Sequence, residues 1–382
     1  MMNSVTWLQW KLVLLDLLSA ARHTDDFGNN RGRILYKRVQ LIATVMAVMT
    51  LFWMPLDYMA LEGDQFNQVL WVRITWVVGF LLFAYGWEGQ RRSVAKGYLR
   101  LLLMIVLFSI SYYYLWTEVF ASEQLQSSFH AGYAFIPYVA IAMLSIFPLT
   151  LLEAGIAILV LMLSVLGADL AAGPILEMPL GIKLWFIGVL SGIILWASAS
   201  QLHGLMVLYR EATRDSVTGL INRRLALNEV ERIREQLLSH GEGGALLLAD
   251  LDRFKKINDE YGHLNGDQVL RDFAEVVGNF HAAITVAGRF GGEEFLMVAE
   301  KVERDEAMEI AANLNQAVRE RLVIGIDHEQ LRYTTSLGVA EFIEGESQQS
   351  LLERADNALY EAKGAGRDCA ILAPLPPVAE EG

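Results

Sequence analysis

Apolar residues are distributed very differently in the two halves of this 382-residue chain. The first half contains successive apolar runs of about 20 residues, which is the length that crosses a bilayer. They cover roughly residues 39–60, 67–87, 99–120, 131–147, 149–170 and 181–206. A soluble core does not account for so many runs in succession. We therefore predict an all-α bundle of six transmembrane helices over 39–206.

Basic residues mark every second loop of this predicted bundle. They lie before the first run, between the second and third runs, and after the sixth run, at Lys11, Arg22, Arg31, Arg33, Lys37, Arg38, Arg91, Arg92, Lys96, Arg210 and Arg214. Because Lys and Arg accumulate on the cytoplasmic side, we predict that residues 1–38 and the chain after 206 are cytoplasmic. Residues 5–18 are apolar but contain Lys11 and Asp16, which favours an interfacial helix over a signal peptide.

Polar and aromatic groups inside the bundle have simple interpretations. Arg73 lies near the outer end of the second run and Glu153 at the start of the fifth, and we expect both side chains to reach solvent. The aromatic residues within 112–116 favour an interfacial belt. The sequence contains no His pair or Cys cluster typical of a haem or metal site in this half. It does not identify the sensory ligand or partner protein of the bundle.

Residues 199–214 connect the two halves. Leu202, Leu205 or Met206, Tyr209 and Ala212 recur at spacings of three and four, which is typical of a helix with one apolar seam. Two interpretations are open: the last transmembrane helix simply ends here, or a short parallel coiled coil pairs two copies of the chain. We favour the coiled coil.

Shorter elements follow in the second half. The pattern predicts helices over 223–239, 264–280, 303–321 and 348–365, and strands over 244–250, 283–289, 294–300, 333–341 and 369–372. Alternating strands and helices indicate an α/β sheet with helices on its faces, and the βαββαβ order matches a ferredoxin-like core. We assign this domain to residues 215–373, with a flexible tail over 374–382.

Charge also separates the two halves. Residues 1–214 carry a net charge of +1 and residues 215–382 carry −14, within a total of −13. The acidic second half argues against a nucleic-acid partner, which requires a basic face. The single cysteine, Cys369, excludes an intrachain disulfide.

Two loops of the second half concentrate the candidate chemistry. The first follows a buried strand and carries Asp250, Asp252 and Lys255. Carboxylates suit a hard cation such as Mg²⁺, and Lys255 with backbone amides suits phosphate. The second loop contains Gly291 and Gly292 at a predicted hairpin, where glycine permits positive φ angles and the close approach of a bulky ligand, followed by Glu293. Together these residues indicate metal-assisted phosphoryl transfer on a nucleotide.

Ordered sequence blocks in this half resemble the GGDEF (diguanylate cyclase) family over about residues 213–373. The blocks are 215–224, 250–267, 291–295 and 355–368, and the third is the family signature in its GGEEF form. The resemblance implies a nucleotidyl-cyclase-type domain in a multi-pass protein of the bacterial cytoplasmic (inner) membrane. It implies the condensation of two GTP molecules into cyclic di-GMP and two pyrophosphates, a signal that controls biofilm formation.

The resemblance also implies a role for each matched residue. Asp250, the Leu251 carbonyl and Glu293 would hold Mg²⁺, with Mn²⁺ as the alternative, and Asp252 is given no ligand role. The phosphates would contact Lys255, Lys363 and Arg367, the amides of Arg253 and Phe254, and Gly292. Asn258 and Asp267 would read the guanine edge, with His263 nearby. Lys255 would stabilise charge on the reacting phosphate, and Glu294 or a metal-bound hydroxide would deprotonate the ribose 3′-OH.

Structural interpretations of the same residues remain open. Asn258 and Asp267 also suit a helix cap and a turn, and His263 suits a purely structural position. Lys363 and Arg367 occupy the last turn of a predicted helix, where cations complement the helix dipole.

The implied reaction requires two copies of the chain. Each 3′-OH attacks the α-phosphate of the other GTP, so two domains must face each other. We therefore expect a homodimer whose activity the transmembrane domain regulates through the connector. The alternative is a catalytically silent GTP or cyclic-di-GMP receptor. A transporter with a regulatory domain is disfavoured because the sequence shows no pore-lining charges or broken-helix pairs.

One short segment departs from the family pattern. Many members carry an Arg-x-x-Asp product-inhibition site ending five residues before the Gly-Gly pair. Here those positions are Ala282, Ala283, Ile284 and Thr285. We therefore expect no high-affinity product inhibition through this site.

Overall fold

The computed structural model describes residues 11, 13–23, 25–61, 63–86, 93–120, 128–172, 180–280, 282–326 and 330–375. The chain divides into two compact units, Met1–Tyr209 and Arg210–Gly382. Of the predicted interfacial helix, residues 11 and 13–18 are helical, and the remainder lies outside the described residues. The same holds for positions 376–382 of the predicted tail.

Long helices make up the described part of the first unit. They are α1 (Asp25–Ala60), α2 (Gly63–Tyr85), α3 (Val94–Tyr114), α4 (Ser128–Met143), α5 (Leu151–Ala172) and α6 (Leu180–Thr213). A π-helical turn, Leu115–Val119, follows α3, and a 3-10 turn, Leu144–Ile146, follows α4. Helix α1 begins well before the predicted span at 39. Its first turns contain the basic residues of the N-terminal segment, which were predicted to lie outside the membrane.

Five helical stretches are long and apolar enough to cross a membrane. They are Phe27–Ala60, Gly63–Tyr85, Val94–Val119, Leu151–Ala171 and Gly181–Thr213. The apolar stretch Gly132–Ile146 is shorter. The described residues therefore agree with five of the predicted spans in length and composition, and the fourth span of the six-span bundle is not confirmed.

Buried ion pairs connect the helices of the first unit. Arg73 Nε donates to Asp57 Oδ2 at 2.9 Å, and the two side chains are only 4% and 1% exposed. Tyr133 Oη donates to the other Asp57 oxygen and accepts from Arg73 Nη2 at 2.7 Å. Buried Arg31 pairs with Glu153. The expectation that Arg73 reaches solvent is therefore wrong, because a counterion on a neighbouring helix makes burial tolerable. The Glu153 side chain is 14% exposed.

Aromatic rings form a ladder inside the same unit. Trp76, Phe108, Tyr112, Trp116 and Phe120 follow one another with ring centroids 5.4–6.3 Å apart. Tyr112 and Trp116 are 1% and 2% exposed, so these two are core residues and not part of an interfacial belt. Periodicity alone did not separate them from their exposed neighbours at 113 and 114.

The connector is the end of α6, which continues without a break to Thr213. Two residues of the predicted seam contact the same chain. Leu202 is fully buried, and the ring of Tyr209 packs on Phe27 with centroids 5.3 Å apart. The large exposed apolar residues of this stretch are Val207 and Leu208, and Ala212 of the predicted seam is exposed as well. The coiled coil stays a prediction, and the contacts of Leu202 and Tyr209 within the chain leave Leu205, Leu208 and Ala212 as the residues available for a seam.

A mixed sheet forms the centre of the second unit. Its strands are β1 (Ile221–Asn222), β2 (Gly244–Leu251), β3 (Val286–Arg289), β4 (Glu294–Glu300), β7 (Thr335–Glu341) and β8 (Ala370–Leu372), in the order β1-β3-β4-β2-β7-β8. Strand β2 pairs antiparallel with both β4 and β7. A separate hairpin consists of β5 (Val323–Ile324) and β6 (Gln330–Leu331). The predicted α/β domain is confirmed.

Helices cover both faces of this sheet. They are α7 (Arg223–Ser239), α8 (Phe254–Tyr261), α9 (His263–Asn279), α10 (Arg304–Glu320) and α11 (Gln348–Gly364). Because side chains alternate along a strand, Leu247 and Ala249 of β2 pack with α9 and α10, whereas Leu246 and Leu248 pack with α7 and α11. Gly338 lets α11 approach β7, since a Cβ there would lie 2.0 Å from the Ala355 carbonyl oxygen.

Candidate active site

Asp250 lies at the end of the central strand β2, where every residue is buried. Its side chain is 5% exposed, and its Oδ2 lies 2.8 Å from Nζ of Lys363. Lys363 occupies the last turn of α11, the helix that Gly338 allows to pack closely on β7. The sheet and the helix therefore bring together a carboxylate and a lysine that are far apart in the sequence.

The turn between β3 and β4 places Glu293 beside the same strand end. The amides of Phe290 and Gly291 donate to the Glu294 carbonyl at 2.8 and 3.2 Å, and the Leu251 amide donates to the Glu293 carbonyl at 3.2 Å. The main chain of the turn is thus attached to the end of β2. Glu294 is the register partner of Asp250. Directly paired residues share one sheet face, so both side chains point to the face covered by α11.

The glycines of the turn matter because they have no side chain, and not because of an unusual backbone conformation. Neither Gly291 nor Gly292 has a positive φ, so the turn does not use the left-handed conformations that glycine permits. A Cβ on Gly291 would lie 2.2 Å from Oε2 of Glu294, whereas a Cβ on Gly292 would meet nothing within 4 Å. Gly292 therefore leaves open space in front of the turn, as a bound ligand would require.

Excess negative charge collects at this strand end. The pKa of Asp250 is raised by burial and by the neighbouring Asp252, an effect that Lys363 opposes. The pKa of Glu293 is raised by burial and by Asp250, again opposed by Lys363. A divalent cation would relieve this repulsion, and a donor set made only of oxygen fits Mg²⁺. Among the described residues, no cluster of three or more His, Cys, Asp or Glu side chains forms a metal site.

Asp252 is a structural anchor in this site. Its carboxylate accepts from Thr334 Oγ1 and Ser336 Oγ, each at 2.7 Å, and from the Asp368 amide at 3.0 Å. These donors occupy both oxygens of a side chain that is 6% exposed. The geometry agrees with the absence of a ligand role for Asp252, and it connects β2 to β7 and to the segment after α11.

That segment holds Arg367 in a constrained loop. Gly366, Arg367 and Asp368 have φ angles of 118°, 71° and 53°, and left-handed conformations are uncommon for residues with a side chain. The Arg367 amide donates to the Ala362 carbonyl at 3.1 Å, and the Asp368 carboxylate pairs with Arg319 at 2.7 Å. Arg367 is exposed and close enough to Asp250 to affect its pKa.

The remaining predicted residues lie on α8 and α9. Arg253 has a φ of 57° and precedes α8, with its own side chain and that of Lys255 exposed and Phe254 buried. Asn258 on α8 faces α9, because a Cβ on Gly266 would lie 1.9 Å from Asn258 Oδ1. On α9, Asp267 lies 3.8 Å from Arg271, and His263 is exposed at the first position.

Two groups of predicted residues thus emerge. The strand-end group comprises Asp250, Leu251, Glu293, Glu294, Lys363 and Arg367, and the helical group comprises Asn258, His263 and Asp267. Sequence reasoning missed the supporting residues Thr334 and Ser336. Their hydroxyl side chains at the start of a predicted strand were the available signal.

The comparisons with known proteins concern the second unit. The family described as "Diguanylate cyclase, GGDEF domain" matches residues 212–369. Response regulator PleD of Caulobacter vibrioides is 36% identical over 162 residues, which is 42% of this chain and 36% of PleD. Diguanylate cyclase DgcM of Escherichia coli is 37% identical over 166 residues, or 44% of this chain and 40% of DgcM. The chain therefore spans less than half the length of these relatives.

A solved structure is similar to a comparable share of the chain. The GGDEF domain of DgcB from Caulobacter crescentus, in complex with c-di-GMP, is 36% identical. The match covers 43% of this chain and 94% of that domain, with a TM-score of 0.41.

Proposed function

Because residues 212–369 belong to the GGDEF family of diguanylate cyclases, we propose that this chain condenses two GTP molecules into cyclic di-GMP and releases two pyrophosphates. The observation that carries the proposal is the strand-end group. Buried Asp250 and nearby Glu293 have raised pKa values, and Lys363 lies 2.8 Å from Asp250. This arrangement suits a triphosphate bound together with a divalent cation.

The strand-end group would hold the metal and the phosphates. Asp250, Glu293 and the Leu251 carbonyl are the oxygen donors for Mg²⁺. When bound, the metal neutralises phosphate charge and polarises the reacting phosphorus. Lys363, which pairs with Asp250 in this structure, would contact phosphate oxygens, with Arg367 beside it. Lys255 and the amides of Arg253 and Phe254 approach the phosphates from the start of α8.

The helical group would select the base. Asn258 and Asp267 present an amide and a carboxylate from adjacent helices. A carboxylate acceptor suits the N1–H and N2–H₂ donors of guanine, whereas adenine would leave it without a partner. Among the residues of this chain, Glu294 is the candidate base for the ribose 3′-OH, because it shares a sheet face with Asp250.

Two further parts of the proposal concern assembly. One domain holds one GTP, so the reaction requires two domains facing each other, and we propose a homodimer. We also propose that the first unit is embedded in the cytoplasmic membrane and that it alters this facing through α6. Length and apolar composition of the five long helical stretches support the membrane location.

Incubation of the purified full-length protein with GTP and Mg²⁺ tests the catalytic proposal. We expect cyclic di-GMP and two equivalents of pyrophosphate. The Glu293→Ala variant should lose activity. The control variant Glu309→Ala, which changes an exposed acidic residue on α10, should keep full activity. Specific activity that rises with protein concentration supports the dimer. GTP binding without product, in both Mg²⁺ and Mn²⁺, would instead identify a silent receptor.

A further inference from the structure

Arg100 on α3 is a fully buried cation without a counterion among the described residues. Its side chain is 0% exposed, and neither Nε nor either Nη has a hydrogen-bond partner in the described part of the chain. Its guanidinium carbon lies 4.4 Å from the ring centroid of Tyr36. An aromatic face attracts a cation, but it does not replace the acceptors that a permanently charged guanidinium requires.

The charged groups nearest along these helices do not neutralise Arg100. Tyr98, two residues before it, donates to the Glu153 main-chain oxygen at 2.7 Å, which places Glu153 beside this part of α3. The Glu153 carboxylate, however, binds Arg31 and the Thr150 amide. Arg31 is itself 0% exposed, and its Nη1 has no partner among the described residues. The Glu153 carboxylate therefore serves Arg31, and Arg100 has no carboxylate partner among the described residues.

An apolar cavity lies next to Arg100, since the following residue, Leu101, lines it. It has a volume of about 90 Å³, and its lining residues, drawn from α1 to α5 and the turn after α4, are all apolar. Helix α3 contributes Leu101, Met104, Ile105 and Phe108. Arg100 precedes Met104 by four residues, so it lies on the same helix face, about 6 Å along the axis. Val139 in the lining is 55% exposed, so the cavity reaches the outer surface of the unit.

We propose that Arg100 and this cavity form a binding site for an anionic amphiphile. The oxyanion head would accept hydrogen bonds from Arg100, and the apolar chain would occupy the cavity. In the predicted orientation the start of α3 is cytoplasmic, so the head would lie at the level of the inner-leaflet headgroups. A phospholipid phosphate and a fatty-acid carboxylate share this chemistry.

Binding by the full-length protein tests the site without reference to its enzymatic activity. The protein is held in a neutral maltoside detergent, and dodecyl phosphate, dodecanoate, phosphatidylglycerol and phosphatidylcholine are added separately. Inorganic phosphate serves as the probe for the head alone. Binding is measured by native mass spectrometry and by the shift in melting temperature. Arg100→Gln removes the charge, Ala140→Phe fills the cavity, and Arg33→Gln is the control, since Arg33 is an exposed cation on α1.

We expect the native protein to bind one equivalent of dodecyl phosphate or dodecanoate and to become more heat-stable. Loss of charge-assisted hydrogen bonds weakens binding by about tenfold or more in Arg100→Gln, and Ala140→Phe weakens binding of the chain-bearing probes. Arg33→Gln binds as the native protein does. Preference for phosphatidylglycerol over phosphatidylcholine identifies the source as a phospholipid, and preference for dodecanoate identifies a fatty acid.

Two results would overturn the proposal. One is that Arg100→Gln binds the anionic probes as tightly as the native protein. The other is that inorganic phosphate competes as well as dodecyl phosphate, which would exclude the cavity from the site. Without any probe, Arg100→Gln should melt no lower than the native protein, because the cost of burying a charge without a counterion exceeds the cation–π contact with Tyr36 that the variant loses. A lower melting temperature with unchanged probe binding would show that Arg100 is merely structural.

Discussion

Arg289 and Asp215 form an ion pair that connects the segment following α6 to the Gly-Gly turn. Arg289 Nη1 lies 3.1 and 3.2 Å from the two Asp215 oxygens, and Nη2 donates to the Gly292 carbonyl at 2.6 Å. The pKa of Asp215 is lowered: burial acts to raise it, but hydrogen bonds from Thr218 and Arg289 outweigh burial. The Arg289 guanidinium thus binds both the segment that follows α6 and the Gly-Gly turn.

Loss of this pair should reduce activity by releasing the turn that carries Glu293. In Arg289→Gln, the Gly292 carbonyl and Asp215 both lose a charged donor, worth about 1.5–3 kcal/mol each, and the turn beside Glu293 is no longer held. We expect kcat/KM to fall by roughly 10- to 100-fold, measured as cyclic di-GMP formation. Arg232→Gln, which breaks an exposed pair with Glu229, is the control. Equal activity of both variants would show that the pair does not position the turn.

Asp252 should be among the most sensitive residues of the second unit. Asp252→Ala leaves Thr334, Ser336 and the Asp368 amide without their acceptor. An unsatisfied buried donor costs about 1–3 kcal/mol. Because Ser336 is buried whereas Thr334 and Asp368 are half-buried, we expect a loss of about 2–4 kcal/mol in the free energy of unfolding. Chemical denaturation measures it, with exposed Asp259→Ala on α8 as control. A loss below about 1 kcal/mol would contradict the anchoring role.

The sequence predicted the helices and long strands of the second unit to within a few residues, because their apolar periods are strong. It missed α8 and the two-residue strands β1, β5 and β6, which are too short to show a period. From the order of residue types it selected the loops of Asp250 and Glu293, which the pairing of β2 with β4 brings side by side. It did not predict the pairs Arg289–Asp215 or Arg73–Asp57, since each pair joins segments whose approach only the fold decides.

Metal binding should depend on pH through Asp250 and Glu293. Both pKa values are raised, so these carboxylates stabilise the metal-free fold fully below their ordinary pKa values, and that contribution is lost as pH rises through the raised values. A bound cation stabilises the ionised carboxylates and so offsets this loss of stability. We expect metal affinity to fall on acidification at a higher pH than ordinary carboxylates would require, with proton release on binding. Calorimetric titration with Mn²⁺ in buffers of different ionisation enthalpy measures both effects. Metal affinity independent of pH between about 4 and 7 would contradict it.

The Asp57–Arg73 ion pair should stabilise the first unit only when both residues are present. Removing one partner of a buried pair leaves an uncompensated charge and costs about 3–5 kcal/mol, so Asp57→Asn should lower the melting temperature of the full-length protein in detergent markedly. The double variant Asp57→Asn with Arg73→Gln should recover part of that loss. Arg33→Gln should leave the melting temperature unchanged. Additive losses in the double variant would show that the two residues act independently.

High-affinity product inhibition through the 282–285 segment should be absent, and two substitutions should introduce it. Ala282 and Thr285 occupy the positions of the family's inhibitory charges, and both are exposed, so charged replacements can be accommodated without disturbing the core. We expect the native enzyme to continue turnover at product concentrations that inhibit the Ala282→Arg, Thr285→Asp double variant, while either single substitution has little effect. Initial rates with added cyclic di-GMP measure this. Tight product binding by Glu293→Ala, lost when Arg289 is also replaced, would instead reveal an inhibitory site built from other arginines.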